Sequence, residues 1–70
     1  MKVKDIISRM VDNYLEISIE VCDEKAKLMK EIYYIKPHAT SFTNIPEVVW
    51  ESEVWMTVLY LDRFSIVVRS

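Results

Sequence analysis

No glycine occurs anywhere in these 70 residues, where average usage of about 7% would give roughly five. The absence excludes phosphate-cradling loops and the dinucleotide fingerprint, because both need glycine for close approach of the backbone. It also restricts the turns. They fall to Asn13, Asp23, Asn44 and Asp62, the residue types that best tolerate left-handed conformations after glycine.

The hydrophobic pattern must then be arranged with stiff connections. Val3, Ile6, Ile7, Met10 and Val11 recur at the spacing of one helical face, and Asp12-Asn13 ends that helix. From Tyr14 to Val21 the period switches to two. Leu15, Ile17, Ile19 and Val21 face one way, with Glu16, Ser18 and Glu20 on the other, which predicts a half-buried strand. Cys22-Asp23-Glu24-Lys25 forms the following turn.

Residues 26–35 fit two patterns. Leu28, Met29, Ile32 and Ile35 would make a helical stripe, whereas Ala26, Leu28, Ile32 and Tyr34 would share a strand face interrupted by Lys30. The β-forming run Ile32-Tyr33-Tyr34-Ile35 favours the strand.

Residues 36–41 read as loop. Asn44-Ile45-Pro46-Glu47 predicts a short helix, with Asn44 as cap, proline in the first turn and an acid three residues after the cap. Val54 to Leu61 is apolar on both faces, which predicts a central, doubly covered strand with Trp55, Leu59 and Leu61 in one row. A two-residue turn at Asp62-Arg63 leads to a last strand, where Phe64, Ile66 and Val68 alternate with Ser65, Val67 and Arg69.

The expected fold is one α+β domain over residues 1–70. An N-terminal helix packs on a meander-like, four-stranded antiparallel sheet, with a short helix before strand 3.

Composition narrows the function classes. The net charge of -2 is too balanced for general nucleic-acid affinity. Residues 1–36 hold seven basic and seven acidic side chains, so the deficit lies in the second half, in Glu47, Glu51, Glu53 and Asp62 against Arg63 and Arg69. One cysteine and one histidine supply neither an intramolecular disulfide nor a four-ligand zinc site, and no metal or other cofactor is expected. His38 lies in a loop without a catalytic partner at a readable spacing. Cys22 sits beside Asp23 and Glu24, which disfavour the thiolate that nucleophilic chemistry needs. No enzyme is expected.

The N-terminal Met1-Lys2-Val3-Lys4-Asp5 is not followed by an apolar stretch of signal-peptide or membrane-spanning length. With the free cysteine, this sets the expectation of a cytoplasmic protein without membrane contact.

What remains is binding. A chain this short buries only about 60% of the surface its unfolded form exposes, so its stability is thin and self-association is the stabiliser left open to it. Trp55, Leu59 and Leu61 are the expected homodimer interface, in a chain rich in the aromatics that anchor protein contacts. Glu47, Glu51, Glu53 and Asp62 are the expected contact for a basic protein partner. The alternative is a dimeric nucleic-acid-binding protein, with Lys25, Lys27, Lys30 and Lys36 on phosphates and Tyr33 or Tyr34 stacking on bases.

The opening Met1-Lys2-Val3-Lys4-Asp5-Ile6-Ile7, the alternating strand, Ile45-Pro46-Glu47, Val54 and the final Phe64-Ser65-Ile66-Val67-Val68 resemble short phage and prophage proteins of unknown function. The resemblance spans most of the chain through generic motifs. The chain departs from those proteins in lacking a hairpin glycine and in carrying an aromatic-rich loop before Ile45. The resemblance implies a mobile-element origin and the host-cell cytosol as location. It also implies a role as an inhibitor of a host defence nuclease, as in anti-CRISPR proteins that bind a nuclease's nucleic-acid channel.

Overall fold

A computed structural model of the chain describes residues 1–9, 15–25, 28–38 and 44–69. Among the described residues two helices, α1 (Val3–Ser8) and α2 (Glu47–Trp50), accompany four strands: β1 (Glu16–Cys22), β2 (Met29–Ile35), β3 (Val54–Leu59) and β4 (Arg63–Arg69). The ambiguous segment is thus a strand from Met29 onward. Ala26 and Lys27 lie outside the described residues, as do Met10, Val11 and the Asp12-Asn13 helix stop.

The sheet is α+β in its layering, but it is mixed rather than antiparallel, and it is no meander. Its strand order is β2-β1-β4-β3, with β1 and β4 parallel at the centre and antiparallel hairpins on both sides. The connection across residues 36–53 carries the chain from one edge to the other. A crossover of this length permits parallel strands, which short turns cannot join.

Burial explains which strands take the centre. β1 and β4 hold the most regular apolar rows, and these are in register: Ile17 against Phe64, Ile19 against Ile66, Val21 against Val68. Ile19, Ile66 and Val68 are fully buried. Both helices add to the same cluster, α1 through Val3 and Ile7 and α2 through Val49, joined by Ile35 and Ile45.

A six-residue helix has little stability of its own. α1 is held at its start, where the Asp5 carboxylate accepts the Lys2 backbone N–H (3.0 Å) and Val3 N–H donates to Ser52 O (3.0 Å). α2 begins after Pro46 without a side-chain cap. Asn44, the expected cap, instead donates its amide to Tyr34 O (3.1 Å), tying the crossover to β2.

β3 departs furthest from expectation. It is an edge strand rather than a central one, and its pairing slips between Val54 and Met56. Trp55 is the extra residue of that bulge. The slip divides the strand's side chains anew. Val54, Thr57 and Leu59 pair with the helix-side residues Val68, Ile66 and Phe64, while Met56 and Val58 pair with Val67 and Ser65 on the opposite face. A bulge inverts the alternation on one side of it, and this is why simple parity misassigned the row. β3 ends at Leu59, so Leu61 belongs to the β3–β4 turn, which runs from Tyr60 to Asp62 rather than over Asp62-Arg63.

Among the described residues the one positive φ outside glycine is at His38 (58°), not at an Asn or Asp. Histidine tolerates that left-handed region better than most residue types.

Candidate protein interface

Only part of β3's outer edge is covered. Residues 1–3 run antiparallel to the start of the strand, through the Lys2–Glu53 bridge and the bond from Val54 N–H to Met1 O (2.9 Å). From Met56 to Leu59 no further strand lies alongside among the described residues.

Around this edge stand five exposed apolar side chains: Trp55, Met56, Leu59 (70% exposed), Tyr60 and Leu61 (103%). Two arginines of β4 dress the ends of the strand. The Arg69 guanidinium lies 4.7 Å from the centre of the Trp55 ring, and that of Arg63 4.6 Å from Tyr60. Such stacking draws each guanidinium to the electron-rich face of its ring. Glu53, Val54, Trp55 and Arg69 line an open cleft of about 300 Å³.

The three residues expected to form one dimer row are therefore separated. Trp55 stands in the bulge under Arg69, Leu59 leans to the helix side opposite Phe64, and Leu61 projects from the turn. All three are exposed. The sequence reading missed Met56, Tyr60, Arg63 and Arg69 as members of this surface. The alternation of β4 held the signal for Arg69, once the hairpin register places its end beside the start of β3.

The acidic positions are not gathered either. Glu51 takes Lys2 Nζ (3.1 Å) and Lys4 Nζ (2.8 Å) on its two oxygens, and Glu53 meets the Met1 amino group (2.9 Å). Hydrogen bonding to these lysines, Lys4 foremost, holds the Glu51 carboxyl below its ordinary value, and the same bond raises Lys4. Glu47 and Asp62 are exposed, but β3 separates Asp62 from the others by roughly 20 Å.

The lysine set fares similarly. Lys25 and Lys30 line a cleft of about 530 Å³ together with Asp23 and Glu24, which offset their charge. Lys36 is exposed at the end of β2, and Lys27 lies outside the described residues. Tyr33 and Tyr34 point to opposite faces, opposite Ile19 and Ser18. The Tyr33 hydroxyl donates to the Glu31 carboxylate, a bond that raises its pKa, whereas Tyr34 is 47% exposed.

The face away from the helices has a polar centre. Ser18 and Ser65 are fully buried side by side. Ser65 Oγ donates to Glu20 Oε2 (3.0 Å), while the Ser18 hydroxyl has no hydrogen-bond partner among the described residues. Cys22 is half-buried at the end of β1, and His38 is exposed.

Among the described residues no cluster of three or more His, Cys, Asp or Glu side chains is placed to hold a metal ion, and no helix is long and apolar enough to cross a membrane. No family model, no curated protein and no solved structure matches this chain.

Proposed function

We propose that the chain is a small non-enzymatic protein-binding module whose contact surface is β3 and the turn that follows it. One observation carries the reading: Trp55, Met56 and Leu59 of the edge strand and Tyr60 and Leu61 of its turn are all exposed. A marginal domain gains nothing by exposing these side chains to water, and tryptophan, tyrosine and stacked arginine are the residues that anchor protein contacts.

The resemblance to short phage proteins supplies the most concrete partner, a host defence nuclease that the protein inhibits in the cytosol of the host cell. In that form Glu47 and Asp62, exposed outside the Lys2–Glu51–Lys4 group, are the acids available to a basic channel. The rival reading, nucleic-acid binding, is supported by the exposure of Tyr34, Lys25 and Lys30 and weakened by Asp23 and Glu24 between the lysines.

The test is capture from a bacterial lysate with the wild-type chain and with a Trp55→Glu, Leu61→Glu variant, alongside gel shifts at low and physiological salt. Partner recovery by the wild type alone supports the proposal. Tight DNA or RNA binding that weakens steeply with salt, unaffected by the double substitution, would replace it with the nucleic-acid reading.

A further inference from the structure

We infer that the first occupant of this surface is a second copy of the chain, joined edge to edge through β3 about a two-fold axis at Val58. The inference rests on the reading of β3 as a protein-binding surface and specifies its geometry.

The backbone sets the register. Tyr60 N–H points inward, to Arg63 O (2.8 Å), and Val54 N–H points outward, to Met1 O (2.9 Å). Counting back from Tyr60 by strict alternation, Val58 faces β4, and Leu59 and Thr57 face away from it. The bulge at Trp55 absorbs one residue, which reconciles this count with the outward Val54. Thr57 and Leu59 thus hold the free ladder groups of the edge.

An antiparallel copy centred on Val58 sets Thr57 opposite Leu59 and Leu59 opposite Thr57. Each of these pairs exchanges two N–H···O bonds, so every outward group of the open stretch is used. Val58 meets its own counterpart as a non-hydrogen-bonded pair, and Met56 lies opposite Tyr60. The ladder stops before the stretch already taken by residues 1–3.

Charge selects this edge over the other one. Edge strands are normally blunted by charged side chains, and β2 carries Lys30 and Glu31 with Lys36 just beyond its end. From Val54 to Leu61 there is no charged residue at all. Within the paired stretch from Met56 to Tyr60 a two-fold copy sets no charged residues opposite one another. The five apolar side chains expose roughly 600 Å² per chain, which sets the most the pairing can bury from them and matches the lower end, about 600 Å² per partner, of stable interfaces.

Light scattering at micromolar concentration should report twice the 8.3 kDa chain mass. Thr57→Pro removes an outward donor without touching the β4 ladder, and Leu59→Lys places the usual edge charge. Each should reduce the mass to that of one chain with unchanged circular dichroism. Should either variant misfold, Val58→Cys in a Cys22→Ser background decides: a non-hydrogen-bonded pair, with Cα atoms about 4.5 Å apart, closes to a disulfide under mild oxidation. Ready cross-linking at that position supports the inference. A single-chain mass for the wild type, a doubled mass that persists in both folded variants, or no cross-link overturns it. A wild-type monomer that still captures a foreign protein through Trp55 and Leu61 would leave the binding function standing and remove only the self-pairing.

Discussion

Lys4 Nζ donates to Glu51 Oε1 at 2.8 Å, joining α1 to the end of α2 across 47 positions of sequence. The bond depresses Glu51 from its ordinary value of 4.5 and raises Lys4 from 10.5. Glu51's contribution to stability is present above 4.5 and fades as pH falls through its depressed value. That of Lys4 is present below 10.5 and fades as pH rises through its elevated value. Glu51→Gln should thus lower the melting temperature slightly at pH 7, with the difference from wild type closing in acid below pH 4.5. High salt should shrink the difference further, because both side chains are exposed. A difference that persists undiminished at pH 2 would refute the ion-pair account.

The two buried serines should respond in opposite directions. Ser18→Ala removes a hydroxyl that has no partner among the described residues and should leave stability unchanged or raise it by up to about 1 kcal/mol. Ser65→Ala deprives the Glu20 carboxylate of its donor and should cost about 1 kcal/mol. Urea denaturation of the pair checks the contrast, and equal losses would show that packing rather than hydrogen bonding governs this face.

Ile66 sits fully buried on a central strand, opposite Ile19 and Thr57. Ile66→Ala should destabilise by about 2–5 kcal/mol, a large share of what a domain this small has, and should leave much of the protein unfolded at 37 °C. Leu61→Ala, at a fully exposed turn position, should shift the urea midpoint scarcely at all.

His38→Ala and Cys22→Ala should each leave binding to any captured partner within about twofold, an energy difference of about 0.4 kcal/mol. His38 is exposed in the turn after β2, and Cys22 lies at the end of β1, separated from β3 by β4. Abolished binding by a folded variant of either would reveal a site elsewhere on the molecule.

Local pattern in the chain determined the elements. The spacing of Val3, Ile6 and Ile7 determined α1, the alternation from Ile17 to Val21 determined β1, and that of Phe64, Ile66 and Val68 determined β4, because each records which side chains a helix or pleated strand turns inward. The strand character of Met29–Ile35 was legible in its β-branched and aromatic residues. Tertiary structure alone decided the strand order, the parallel central pair and the edge position of β3. These depend on which apolar rows bury best against one another, a competition among distant segments that no local period encodes. The bulge at Trp55 and the ties of Glu51 to Lys2 and Lys4 are of the same kind. A one-residue slip redistributes a whole strand between two faces, and an acid's charge is available to a partner only if the fold brings no lysine to it first.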